Sequence, residues 1–108
     1  MNKYIVFINL DNILRDKYLE SYLKDGYTLI YSDETSLGFR LGEPKYEEEV
    51  ELNYIKGTIQ IIKRMRLKKV IAMDITEEIA KSTGNITTDN WYTKVIRHKA
   101  MKELVNSI

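Results

Sequence analysis

A short strand-like run followed at once by a capped helical segment constrains this fold more than any other feature of the sequence. The segment from Lys3 to Asn9 is apolar and rich in β-branched residues, as buried strands are. Asp11 or Asn12 then offers a helix N-cap, and apolar residues recur at helical spacing as far as Gly26, a C-terminal stop signal. The pattern predicts a domain that combines strands and helices.

Two more short runs extend the predicted sheet. Residues 27–31 and 37–41 are typical of strands, and the polar segment 32–36 between them is typical of a turn. Gly42 and Pro44 then end the second run.

Residues 46–54 alternate between apolar and glutamate side chains, which favours a half-buried strand with an acidic outer row. Lys56 and Gly57 would then turn this strand into a hairpin with residues 58–65. Isoleucines at positions 55, 59 and 62 also fit a helical period, so residues 55–69 stay open between strand and helix. We favour the strand for the first half of this region.

The C-terminal part of the sequence predicts helices. After an apolar run at 70–73, Asp74 or Thr76 caps a short helix that runs through Ser82. A longer amphipathic helix follows, with an apolar stripe that should close the core. The stripe comprises Trp91, Tyr92, Val95, Ile96, Ala100, Met101, Leu104 and Val105.

These elements predict one α+β domain over residues 1–108, a length that fits a single core. We expect a small, mostly antiparallel sheet of four to five strands, one helix after the first strand and a helical C-terminal part. Apolar residues make up 44% of the chain and charged residues 31%, a balance typical of a globular protein rather than of disorder.

Several classes of protein are disfavoured by what the sequence lacks. There is no cysteine, which excludes a disulfide framework and thiolate zinc sites. The N-terminal apolar run is shorter than a signal peptide needs, and no run approaches the roughly 18 to 20 apolar residues of a membrane span. We therefore expect a cytoplasmic protein with no membrane partner.

The net charge of +1 hides a split between the two halves of the chain. Residues 1–55 carry 6 Lys/Arg against 11 Asp/Glu, a net charge of −5, whereas residues 56–108 carry 11 against 5, a net charge of +6. Dense cations suit contact with phosphates, because neutralising phosphates releases counterions. The expected nucleic-acid contacts are Lys63, Arg64, Arg66, Lys68 and Lys69, together with Lys94, Arg97 and Lys99 on the polar side of the last helix.

Residues 76–84 resemble the first helix and turn of helix-turn-helix proteins. Ala80 stands four residues before Gly84, as close helix packing and a tight turn require. The resemblance implies DNA binding, although the stretch from Asn85 to Asn90 is longer than the usual turn. Two helices of an ordinary core with a glycine cap explain the same residues equally well.

The acidic half supports a different function. Glu47, Glu49 and Glu51 would share the outer face of the predicted strand and form a docking surface for a basic partner protein. Such a protein would be an inhibitor or adaptor of the phage or mobile-element type. A solvated strand face that keeps a sheet edge from pairing explains the same residues without any partner.

A third hypothesis is a metal-dependent enzyme. Asp11, Asp33 and Asp74 each follow an apolar run, and aspartates at neighbouring strand ends can converge on a divalent cation. Helix capping and turn formation explain each of them more simply. Residues 9–13 also resemble the haloacid-dehalogenase phosphatase motif, but the nucleophilic aspartate of that family falls on Asn9 and its threonine on Ile13, which removes the chemistry.

No other catalytic or cofactor motif is present. The sequence has no Walker A loop, no Gly-x-Gly-x-x-Gly and no Gly-x-Ser-x-Gly elbow, and His98 is its sole histidine. We therefore expect no catalytic residue, metal or cofactor. The leading hypothesis is a small regulatory protein that binds DNA or RNA, and the alternative is a protein that binds a host or regulatory protein.

Overall fold

The computed structural model describes residues 2–44 and 48–81, which contain four strands and three helices. Their order and bounds are β1 (Lys3–Ile8), α1 (Asn12–Lys24), β2 (Thr28–Ser32), β3 (Leu37–Leu41), α2 (Glu48–Arg64), β4 (Ile71–Asp74) and α3 (Thr76–Lys81). The predicted C-terminal helix, with its stripe from Trp91 to Val105, lies outside the described residues.

The four strands form one antiparallel sheet in the order β2-β3-β1-β4. In the centre of the sheet, Val6 stands opposite Gly38 on one side and Met73 on the other. Helix α1 joins two parallel strands, β1 and β2, across β3, and α2 joins β3 to β4 across β1. The chain therefore contains two interleaved split β-α-β units, and the predicted α+β class is confirmed.

The two faces of the sheet carry separate cores because successive side chains of a strand point to opposite faces. Tyr4, Val6 and Ile8 of β1 belong to one buried cluster, together with the apolar residues of α2 and α3. Phe7 belongs to the other, with Phe39 of β3 and half-buried residues of α1. The sheet is thus enclosed between α2 and α3 on one face and α1 on the other.

This arrangement fixes the relative handedness of the two crossovers. A rotation of 180° about an axis perpendicular to the sheet relates the unit β1-α1-β2 to the unit β3-α2-β4. This rotation does not exchange the two faces of the sheet. Two crossovers of the same hand would therefore put both helices on one face. Because α1 and α2 lie on opposite faces, one crossover is left-handed, against the strong general preference for right-handed connections.

Aromatic rings attach α1 to its face of the sheet. Phe7 stacks on Tyr18 with ring centroids 5.0 Å apart, and Tyr22 stacks on Phe39 at 5.1 Å. The predicted cap is confirmed, since the Asp11 carboxylate accepts the Leu14 N–H at 2.8 Å. No residue of α1 is fully buried, so offset ring packing contributes much of its attachment.

The strand favoured for residues 46–54 is wrong where the structure describes it, because α2 begins at Glu48, and the helical alternative for residues 55–69 is confirmed as far as Arg64. Most of the residues that α2 buries recur at intervals of three and four, namely Glu51, Tyr54, Ile55, Thr58, Ile59 and Ile62, and Gly57 and Ile61 are buried beside them. Gly38 makes room for the helix, since a Cβ there would lie 2.6 Å from Ile55 Cγ2. The apolar face that α2 packs against the sheet stabilises the helix. This packing outweighs the short alternation of apolar and glutamate residues that favoured a strand.

Among residues 2–44 and 48–81, none of the helices has both the length and the apolar character that a membrane crossing requires.

Candidate nucleic-acid interface

One end of the sheet gathers the segments that carry most of the predicted cations. β1 finishes at this end, and Ile8 pairs there with Ile71 at the start of β4. The β2–β3 hairpin turns at the same end, because Phe7 pairs with Leu37 at the start of β3. The C-terminus of α2 and the connection from α2 to β4 complete it.

Residues 64–69, which we call the basic loop, separate charged from apolar side chains. Met65 and Leu67 are partly buried and pack against the core beneath α2. The other side chains of the basic loop are exposed, and all are cationic: Arg64, Arg66, Lys68 and Lys69. Met65 and Leu67 thus attach this short segment to the core, while its four cations are exposed to solvent.

These four cations have no acidic partner among the described residues. Lys63 differs from them, because its Nζ donates to Asp33 Oδ2 at 2.6 Å. Of the five cations predicted from this cluster, the structure therefore uses Lys63 to join α2 to the β2–β3 hairpin. Arg64, Arg66, Lys68 and Lys69 face solvent.

The amide of Asn9 connects the basic loop to the end of β1. Its Nδ2 donates to Leu67 O at 2.6 Å and to Lys69 O at 2.9 Å. Asn9 itself is in the left-handed region, with φ 64°, which asparagine tolerates better than most residues. Arg66, with φ 56°, also lies in this region just after the end of α2.

Asp33 organises the neighbouring hairpin. Its Oδ2 accepts the Tyr31 hydroxyl at 2.7 Å as well as Lys63, and its Oδ1 accepts the Thr35 N–H at 2.9 Å. Burial raises the pKa of the Asp33 carboxyl, but these donors together outweigh burial and lower the pKa to about 2. The hydrogen bond to Asp33, followed by burial, raises the pKa of Tyr31 to about 12.

Arg15 of α1 holds the hairpin from the other side of the sheet. Its Nε donates to Asp33 O at 2.7 Å, and its guanidinium also contacts the Ser32 hydroxyl. Helices from both layers therefore fix this turn, which stands beside the C-terminus of α2.

The opposite end of α2 contains a buried ionic cluster. Glu51 is fully buried, its Oε2 lies 2.8 Å from Arg40 Nη1, and its Oε1 accepts the Tyr4 hydroxyl. Arg40 also donates through Nε to Gly42 O at 2.9 Å. Burial, followed by the hydrogen bond to Glu51, raises the pKa of Tyr4 to about 12. Each charged group thus has a partner, as buried charges require.

This cluster corrects the predicted acidic docking surface. Glu51 does not belong to an outer row, because it points beneath α2 to Arg40. Glu49 is exposed in the first turn of α2, and Glu47 lies outside the described residues. Helical geometry puts Glu49 and Glu51 on different faces, since residues two apart on a helix do not lie side by side.

The three aspartates of the enzyme hypothesis do not converge. Asp11 caps α1, and Asp33 bonds within the hairpin, both near the end where β1 finishes. Asp74 stands opposite Ile5 and bonds Thr76 N–H at 2.9 Å, toward the other end of β1. Among the described residues, no group of three His, Asp or Glu side chains is placed to hold a metal ion.

The remaining predicted contacts, Lys94, Arg97 and Lys99, lie outside the described residues. Of the segment that resembles a helix-turn-helix, the structure describes α3, whose Ile79 is buried in the core beneath α2. Sequence reasoning missed Asn9 as a residue that contacts the basic loop. Its polarity at the end of an apolar strand was a signal, but the contact with residues 67–69 depends on the fold.

Comparisons with protein-family models, with curated proteins and with solved structures returned no match to this chain.

Proposed function

We propose that this chain is a small regulatory protein, without catalytic activity of its own, that binds nucleic acid through the basic loop. The observation that carries the proposal is the exposure of Arg64, Arg66, Lys68 and Lys69 without an acidic partner among the described residues. The sequence pattern adds Lys94, Arg97 and Lys99 to the proposed contacts.

The charge arrangement supports phosphate contact in particular. An exposed cation that already has an ion-pair partner must lose that partner to bind a phosphate, which reduces the gain. Arg64, Arg66, Lys68 and Lys69 avoid this loss, and each phosphate that they neutralise releases condensed counterions. Four such contacts would contribute about −3.6 to the slope of log K against log salt for duplex DNA.

The first prediction concerns a variant that replaces Arg64, Arg66, Lys68 and Lys69 with alanine. We expect the slope of log K against log salt for a mixed-sequence DNA duplex to flatten by about 3 to 4, because these contacts disappear. Fluorescence anisotropy titrations between about 0.05 and 0.3 M salt would measure the slope. The fold should persist, since exposed substitutions usually change stability by less than about 0.5 kcal/mol each.

A matched control replaces Lys3, Lys17, Lys24 and Lys56 with alanine. These four lysines are also exposed, so the net charge changes by the same amount away from the basic loop. The control should keep most of the wild-type slope. Equal losses in both variants would show a diffuse charge effect, and a wild-type protein that binds neither DNA nor RNA at about 0.1 M salt would refute the proposal.

The alternative is an inhibitor or adaptor that binds a host or regulatory protein. Its predicted acidic surface is smaller in the structure than the sequence indicated. With Glu51 buried, the described acidic surface at the start of α2 consists of Glu48 and Glu49. Among the described residues, these two charges give weaker electrostatic steering than the four exposed cations of the basic loop. The nucleic-acid proposal therefore has the stronger support.

A further inference from the structure

A single side chain binds the main chain of the basic loop at two points. Asn9 Nδ2 donates to Leu67 O at 2.6 Å and to Lys69 O at 2.9 Å, so that its two acceptors flank Lys68. Both carbonyls are therefore directed toward β1, while the side chains of Lys68 and Lys69 remain exposed.

The backbone of Asn9 is suited to this contact. At φ 64° most residues are strained, whereas glycine and asparagine are accepted. Of these two residues, asparagine alone also supplies side-chain N–H donors. Its amide therefore reaches the loop from a position that follows directly on β1, whose Ile8 is fully buried.

We infer that Asn9 is a positioning residue, which holds the basic loop in the conformation that contacts phosphates. This inference rests on the proposed function. A loop that is ordered before binding loses less conformational entropy when it meets its ligand, so preorganisation increases affinity without adding a contact. Asn9 carries no charge and contributes through the loop alone.

The test compares Asn9→Gly with Asn53→Gly. Glycine at position 9 keeps the left-handed backbone and the net charge but removes both donors. Asn53 is an exposed residue of α2, so the same substitution there controls for a general loss of stability. Both variants are studied in the full chain.

Limited trypsin digestion of the folded protein reports on the loop without any ligand, because each cation of the loop is a cleavage site. The loss of two hydrogen bonds should make local opening about tenfold more frequent, and cleavage within residues 64–69 should accelerate accordingly in Asn9→Gly. Asn53→Gly should leave the cleavage rate within residues 64–69 close to that of the wild type. Equal rates in wild type and Asn9→Gly would overturn the inference.

Measurements of duplex binding at several salt concentrations show whether Asn9 positions the basic loop or itself contacts the phosphates. Asn9→Gly should weaken binding several-fold at every salt concentration, with an unchanged slope of log K against log salt, because the number of cations is unchanged. A flattened slope, or an affinity equal to that of the wild type, would refute positioning while leaving the proposed function in place. A wild-type protein that binds no duplex would refute the proposed function, and faster cleavage of Asn9→Gly would still show that Asn9 fastens the loop.

Discussion

At the scale of single residues, the buried pair of Glu51 and Arg40 has the largest expected effect on stability. Glu51 has no exposed surface, and both of its oxygens have partners, Arg40 and Tyr4. Removing one charge of a buried pair leaves the other without compensation in a medium that solvates it poorly. The loss commonly reaches about 3 to 5 kcal/mol, much of what a small domain has.

We therefore predict that Glu51→Gln lowers the free energy of unfolding by about 3 kcal/mol, because the Arg40 charge stays buried without its counter-charge. Urea denaturation followed by circular dichroism would measure the change. Glu49→Gln is the matched control, since it makes the same substitution at an exposed site in the same helical turn. Equal denaturation midpoints for the two variants would contradict the burial of Glu51.

No sequence signal distinguishes these two glutamates. Glu49 and Glu51 belong to one acidic stretch, and glutamate is almost never fully buried unless it is paired. The partner, Arg40, lies on a different element. The number of residues between Arg40 and Glu51 does not indicate that their side chains are in contact. The ion pair exists because α2 crosses the face of β3 on which Arg40 points inward.

At the scale of elements, local signals predicted β1, α1, β2 and β3 closely and failed for α2. Asp11 and Gly26 bound α1 by their own chemistry, the latter with φ 91° in the structure. Residues 46–54 contain no comparable capping signal. Their short alternation of apolar and glutamate residues is compatible with a strand and with a helical turn. The sheet resolves the ambiguity, because the face with Val6 and Gly38 accommodates a helix with isoleucines at intervals of three and four.

The bond between Asp33 and Lys63 joins two elements, the β2–β3 hairpin and the end of α2, and it should make stability depend on acid pH. The pKa of Asp33 is about 2 in the folded protein, below its ordinary value of 3.8. The unfolded chain therefore takes up a proton first as the pH falls, and the stabilisation present above about pH 4 is lost toward pH 2. We expect a loss of about 1 to 2 kcal/mol, reduced by the exposure of Lys63.

Asp33→Asn should remove this part of the pH dependence. The difference in unfolding free energy between wild type and variant, measured with urea at several pH values, should shrink as the pH falls from 5 to 2. Glu34→Gln is the control, because Glu34 is an exposed acid of the same turn with no ion pair among the described residues. A constant difference for Asp33→Asn across this range would show that Asp33 is not held in its ionised form.

At the scale of the whole molecule, the charges of α2 change from acidic to basic along its length. Glu48, Glu49 and Glu51 occupy its first turn, and Lys63 and Arg64 its last, which is the order that the helix dipole favours. The 17 residues of α2 span about 25 Å. The acidic and basic ends of α2 therefore lie apart, whereas Asp11, Asp33 and Glu34 of the acidic half stand near the basic end.

The face of the sheet that each crossover helix covers could not be predicted from the sequence. Strand and helix patterns give the elements but not the face to which each helix crosses, and the general rule favours right-handed connections for both. Here the aromatic residues of α1 match Phe7 and Phe39 on one face, and the isoleucines of α2 match Val6 and Ile8 on the other. Both faces of β1 are apolar, which permits a layer on each side.

The separation of the two charged ends leads to a final prediction about Glu48 and Glu49. Replacing both with glutamine should leave duplex affinity unchanged at about 0.15 M salt, because about 25 Å is roughly three Debye lengths. At about 0.01 M salt the Debye length reaches about 30 Å, so the removal of two negative charges should strengthen binding several-fold. Anisotropy titrations at the two salt concentrations would measure both affinities.

Glu34→Gln is the matched comparison, because the hairpin that carries Glu34 stands beside the C-terminus of α2, bonded to it through Asp33 and Lys63. Its effect on affinity should persist at 0.15 M salt, where that of the Glu48 and Glu49 substitutions disappears. A strong gain in the Glu48→Gln, Glu49→Gln variant at 0.15 M would place the phosphates near the start of α2 instead. That result would contradict the basic loop as the main contact surface.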